Sequence, residues 1–171
     1  MEALKKGLVL VVLAMLLPVL AGCGGEAAPG GILSGFETTD LEGNPMDASL
    51  LTGHRLTLVN VWATYGSSCQ EEMQALTDLA AEYRERGLLV LGIVSDGTGQ
   101  ETLAKSITQE AGAHYINLLP SEDLENLLSQ VRDVPTTIFV AESGCQVGST
   151  YVGALGRDKL AEIIEELLGQ E

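Results

Sequence analysis

Basic residues are scarce in this chain. Nine lysines and arginines stand against 24 aspartates and glutamates, a formal net charge of −15. A surface of that sign repels nucleic acid and anionic lipid headgroups alike, so charge recruits neither. Histidine is scarcer still: His54 and His114 are the two present, and neither has a second ligand at coordinating spacing, so no metal site is expected. There is no G-x-x-x-x-G-K loop and no G-x-S-x-G elbow, and Gly97 and Gly99 form no phosphate-binding fingerprint. Those absences remove the commonest nucleotide-binding and serine-hydrolase readings, and no cofactor is implied. A long hydrophobic span is missing too, because the apolar run from Leu8 to Leu20 is short for a bilayer crossing.

What is present centres on Leu56 to Glu72, L-T-L-V-N-V-W-A-T-Y-G-S-S-C-Q-E-E. Its first half is apolar, β-branched and uncharged, the pattern of a strand buried on both faces. Its second half opens a helix. Ser68 with Glu71, and Ser67 with Gln70, each fit a capping box. A buried strand that turns into a helix N-terminus presents free N–H groups and a dipole, which together stabilise an anion such as a thiolate.

V-N-V-W-A-T-Y-G-S-S-C-Q-E-E-M resembles the active-site segment of the TlpA/ResA-like thioredoxin-fold redoxins, usually V-N-F-W-A-T-W-C-x-x-C-x-x-E-M/F-P. The resemblance puts Cys69 on the second, resolving cysteine and Glu72 on the family's active-site glutamate. Gly66 stands where the family has its first, nucleophilic cysteine. The motif is there and its attacking sulfur is not. The resemblance extends to V-P-T-T-I-F-V at Val134–Val140, which looks like the family's cis-proline loop and following strand, and to Y-V-G at Tyr151–Gly153. It implies an α/β, thioredoxin-like fold, a central mixed β-sheet flanked by helices, with an N-terminal β-hairpin and a TlpA-type αβ insertion.

The organisation expected from the chain has three parts. Residues 1–22 carry Lys5 and Lys6 before the apolar run and end in small residues, as a secretory signal does. Leu20-Ala21-Gly22-Cys23 resembles a bacterial lipobox, which implies lipid attachment at Cys23 and an extracytoplasmic, membrane-anchored protein. Removing Glu2, Lys5 and Lys6 with that signal takes the charge from −15 to −16. Residues 23–35 are rich in Gly, Ala and Pro and are expected to form a flexible tether. Residues 36–171 suit one domain.

Within that domain Phe36–His54 is expected to hold the hairpin, Leu56–Ala63 and Leu88–Val94 two parallel strands, and Ser68–Arg86 a helix stopped by Gly87. Cys69, Met73, Leu76, Ala80 and Tyr83 would share that helix's buried face. Thr102–Ala111 and Ser121–Val131 read as helices around a Tyr115–Leu119 strand. Gly148–Gly153 reads as the hairpin partner of Val134–Val140, and Arg157–Leu168 as the last helix, with Leu160, Ile163, Ile164 and Leu167 inward.

Thiol–disulfide exchange in this fold needs two sulfurs three residues apart. With Gly66 at the first position the ordinary cycle is closed. Cys145, in the turn E-S-G-C-Q at the far end of a strand, lies roughly 25 Å from the site by strand length and reads as a lone turn residue. Cys69 has three readings: a buried hydrophobe, a single-thiol site opened by the missing side chain at Gly66, or a peroxidatic cysteine. The signature that precedes peroxidatic cysteines is not reproduced. Glu72, one helical turn on, projects to the same side and could shuttle a proton to sulfur. Trp62, Gly66, Val134 and Pro135 are the candidate client-binding residues, and Asp133 would put a charge beside the groove. The family resemblance implies protein thiols or disulfides as clients and a membrane reductant. A redox-inactive module that holds extended clients at the cis-proline groove is the alternative.

Overall fold

The computed structural model describes residues 30–169. The expected signal, Cys23 and most of the tether fall outside them. Strands β1 (Glu37–Thr39) and β2 (Pro45–Asp47) pair antiparallel as the expected N-terminal hairpin. A single 3₁₀ turn, Ala48–Leu51, follows; Asp47 caps it by accepting from the Ser49 amide. The hairpin is tied to the main body by an isolated bridge, Asp40 opposite Leu118, and by bonds such as that from the Thr38 hydroxyl to the Leu119 carbonyl.

The central sheet has five strands in the order β5–β4–β3–β6–β7. They are β3 (Leu56–Trp62), β4 (Leu88–Val94), β5 (Ile116–Leu118), β6 (Thr136–Val140) and β7 (Gln146–Val152). β3 runs parallel to β4, and β4 to β5, whereas β6 is antiparallel to both β3 and β7. Every residue of β3 is buried, which is why its sequence is a nearly unbroken apolar run rather than an alternation.

Two layers cover the sheet. Helices α1 (Ser67–Tyr83) and α4 (Arg157–Leu168) bury Leu76, Leu79, Tyr83, Leu160, Ile163 and Ile164 against Leu56, Leu58 and Phe139. Leu33, Phe36, Leu51, Leu124 and Leu127 cover Val59, Val61 and Val140 on the opposite face. Helix α2 (Glu101–Glu110) packs Ala104 and Ile107 beside Trp62 and Met73. The α1 crossover between β3 and β4 and the α2 crossover between β4 and β5 give the parallel half of the sheet.

Four local expectations need correction. Leu33 is 1 % exposed and its amide donates to the Gly144 carbonyl, so the folded body begins before Phe36 and the end of the expected tether is docked. Helix α1 starts one residue early, and its N-cap is Gly66 with no side-chain cap; Ser67 and Ser68 are already inside the helix, so neither capping box forms. The segment after β5 is shorter than expected, a 3₁₀ turn (Glu122–Leu124) leading into α3 (Glu125–Leu128). Cys145 is disulfide-bonded rather than a lone thiol, and Cys69 is the free cysteine among the described residues.

Candidate functional site

The site forms where β3 ends and α1 begins. Residues Ala63 to Gly66 make the turn: the Gly66 amide donates to the Ala63 carbonyl and the Cys69 amide to the Gly66 carbonyl, both at 3.1 Å. Asp96, just past β4, holds this turn from the side. Its carboxylate accepts from the Thr64 amide at 3.0 Å and from the Thr64 hydroxyl at 2.6 Å. Ser95 adds a bond from its hydroxyl to the Trp62 carbonyl. Neither residue is visible as a partner in the sequence, because the loop after a parallel strand reaches the neighbouring strand's end only in the folded sheet.

Trp62 is fully buried beneath the turn, and its indole N–H donates to Asn117 Oδ1 at 2.9 Å. That bond passes over Gly92, which pairs with Asn117 in the register, while Trp62 pairs with Val94 two residues further along β4. A Cβ at Gly92 would stand 2.0 Å from Asn117 Oδ1 and 3.2 Å from the indole nitrogen. Glycine at this position is a steric requirement of the Trp62–Asn117 bond.

Cys69 is fully buried. Loss of a side chain at position 66 does not open it to solvent, because its sulfur fills that space: a Cβ on Gly66 would lie 2.7 Å from Sγ. Burial pushes the thiol up from its ordinary value; the Ala63 backbone pulls it down, while the negative fields of Glu72 and Asp96 add to the rise. The helix N-terminus alone favours a thiolate, but here desolvation and two nearby carboxylates prevail. The sulfur is a neutral thiol at physiological pH.

Glu72 is 2 % exposed, not the partly exposed helix residue its neighbours suggest. One carboxylate oxygen accepts from Asn60 Nδ2 at 3.0 Å and the other from the Leu155 amide at 2.8 Å. Burial raises its pKa, and these two bonds partly offset the rise. Sequence reasoning singled out neither Asn60, the one amide in an apolar strand, nor its bond to Glu72.

The Val134–Pro135 peptide is cis. The Pro135 carbonyl accepts from the Gly153 amide at 2.8 Å, and the Asp133 carbonyl accepts from the Thr136 hydroxyl at 2.6 Å. Pro135 is buried, Val134 half-buried and Asp133 exposed. Tyr65, beside Gly66, is 77 % exposed, and Val152, opposite Thr136 in the register, is 61 % exposed. Sequence reasoning missed both, since neither carries reactive chemistry. Among the described residues no group of three or more His, Cys, Asp or Glu side chains is placed to hold a metal.

The AhpC/TSA family matches residues 25–119 of this chain. The chain belongs to that family. Within it, this redoxin is of the TlpA/ResA-like kind. It is 27 % identical over 147 residues to the thiol-disulfide oxidoreductase ResA of Oceanobacillus iheyensis, covering 86 % of this chain and 74 % of that one. To the ResA of Halalkalibacterium halodurans it is 25 % identical over 131 residues, covering 76 % and 72 %. Solved structures share the fold. A thioredoxin-family thiol:disulfide interchange protein from Chlorobium tepidum superposes with a TM-score of 0.70 at 21 % identity, over 84 % of this chain and 99 % of that one. StoA from Bacillus subtilis superposes at 0.63 and 14 % identity, over 78 % and 98 %. This redoxin therefore shares the scaffold of those structures, and carries a buried Glu72 and a cis Val134–Pro135 peptide.

Proposed function

We propose that this redoxin is an extracytoplasmic, lipid-anchored member of the thiol-disulfide oxidoreductase family that holds extended protein clients at its cis-proline groove and does not run the two-cysteine cycle. The observation that carries the reading is the pairing of Gly66 with a fully buried Cys69, in the core cluster that packs against Val134 of the cis Val134–Pro135 peptide. Tyr65, next to Gly66, and Val152, opposite Thr136, are both exposed. Attack on a client disulfide needs an accessible thiolate; recognition of an extended segment needs only backbone and apolar surface. Cys69 and Glu72 remain the catalytic candidates under the competing reading, a single-thiol enzyme.

The test is binding of a cysteine-containing extended peptide to the full chain, with and without Cys69→Ser. Affinity within about twofold in the variant supports the binding module. Loss of binding, or a mixed disulfide trapped at Cys69, overturns it in favour of thiol chemistry.

Lipid attachment at Cys23 supplies the anchor in this reading; among the described residues no helix is long and apolar enough to cross a membrane. Two or more acyl chains hold a protein stably at a bilayer. The intact mass of the protein, with peptide mapping of Cys23, tests the anchor. An unlipidated Cys23 in cells that process lipoproteins overturns it.

A further inference from the structure

The sheet register carries a polar row across a largely apolar interior. Thr137, Asn60, Gly92 and Asn117 stand side by side on β6, β3, β4 and β5. Asn117 is taken by the Trp62 indole. Asn60 is aimed at Glu72, and its Nδ2 also lies 3.5 Å from the Thr137 hydroxyl. Glu72 in turn reaches across to the Leu155 amide, in the segment between β7 and α4.

We infer that Asn60 is the positioning residue of Glu72, and that together they tie the first turns of α1 to the loop bordering the cis-proline. Asn60 holds one carboxylate oxygen so that the other fixes the Leu155 amide. Two residues before Leu155, Gly153 donates to the Pro135 carbonyl. A continuous path therefore runs from the turn bearing Cys69, through Glu72 and the 153–155 loop, to Pro135. It exists whether or not Cys69 does sulfur chemistry.

An amide suits this role because it can serve both ionisation states. Toward the carboxylate, Nδ2 donates. Toward a carboxylic acid, the same amide turned over presents Oδ1 as an acceptor, and Asn60 Oδ1 is a buried atom that accepts no hydrogen bond in the present arrangement. Aspartate would repel the ion and an aliphatic side chain would leave it unheld. The ionisable groups whose fields couple to this carboxylate are the Cys69 thiol on α1 and the Tyr115 phenol just before β5, both kept neutral by burial. The facing parts of β3, β6 and the 153–155 loop contribute only Asn60, Thr137 and backbone groups.

The consequence is that protonating Glu72 is felt at the groove's border. The experiment is a nuclear magnetic resonance titration of the isotopically labelled full chain, following the Glu72 carboxyl carbon and the Leu155 amide proton. The expected result is one shared midpoint, with the Leu155 proton moving upfield as Glu72 protonates. Asn60→Ala removes the donor to the ion and should raise both midpoints by about one pH unit, a tenfold change in proton affinity. In Glu72→Gln the Leu155 signal should no longer titrate.

A Leu155 signal that does not titrate in the native chain overturns the inference. So does one that still titrates in Glu72→Gln, or a pair of midpoints that Asn60→Ala leaves in place. A merely structural role for Asn60 would change stability without moving the midpoints. Should Asn60→Ala leave no folded chain, the isosteric Asn60→Asp carries the same test, with a larger rise because the new carboxylate repels the ion.

Discussion

Replacing Gly66 with cysteine should close a disulfide to Cys69 without moving the backbone. A Cβ at position 66 lies 3.6 Å from Cys69 Cβ, inside the window of about 3.5–4.5 Å that disulfides occupy. Gly66 has φ −92° and ψ 101°, a region open to any side chain, so the substitution adds no backbone strain. The 2.7 Å approach of that Cβ to Cys69 Sγ is too close for two separate thiols and only a few tenths of an ångström short for a bonded pair. The oxidised form is therefore favoured twice, by the contact it relieves and by chain entropy. Closing so short a loop contributes about 2 kcal/mol, which for a domain of this size is about 6 °C in melting temperature. The assay oxidises Gly66→Cys, counts thiols by alkylation and mass, and compares melting with and without reductant. Native protein treated identically corrects for the Cys145 disulfide. Two thiols that stay alkylatable after oxidation, or an oxidised form that melts below the reduced one, would refute the geometry. Once reduced, the variant should also reduce a protein disulfide that the native chain leaves intact.

The other expectations are smaller in scope. Cys69 in the folded native chain should resist alkylation near neutral pH and react when the chain is unfolded, because burial holds its pKa up; ready reaction at pH 7 would contradict its neutral, buried state. Glu72 has a raised pKa in the folded state, so its stabilising contribution is complete below the unfolded value of about 4.3 and is lost as pH rises through the folded value. Glu72→Gln should accordingly gain stability over the native chain near neutral pH and lose that advantage in acid, by denaturant titration; an advantage that does not change with pH would remove the argument. Gly92→Ala forces apart the Trp62–Asn117 bond and should cost about 2–4 kcal/mol. The chain's single tryptophan reports this directly, and unchanged tryptophan emission in a destabilised variant would place the strain elsewhere.

The sheet's central strands, the α1 crossover, the cis-proline segment and α4 were all legible in the chain, because each is a long apolar pattern or a stop signal that acts locally. Gly87 ends the turn after α1 in the left-handed region, and Arg157–Leu168 matches the last helix residue for residue. That position 66 carries no sulfur was equally plain, since Gly66 is a statement of covalent composition. Where the sequence misled, the competing force was tertiary. The serines before Cys69 read as caps, yet packing of β3 sets the turn so that Gly66 occupies the cap position. Leu33 read as part of a spacer, yet the face of the sheet away from α1 needs an apolar cover and takes it.

What the remaining site residues can do depends on contacts between segments distant in sequence. Whether Cys69 is open or sealed depends on where its sulfur turns when position 66 has no side chain. Whether Glu72 is a surface charge or a buried link depends on Leu155, distant in sequence and brought close by the return of β7 over β6. The partnership of Asn60 with Glu72, and of Trp62 with Asn117 across Gly92, follows from strand register. Register is fixed by the cooperative burial of whole strands, and no local pattern encodes which residues it sets side by side.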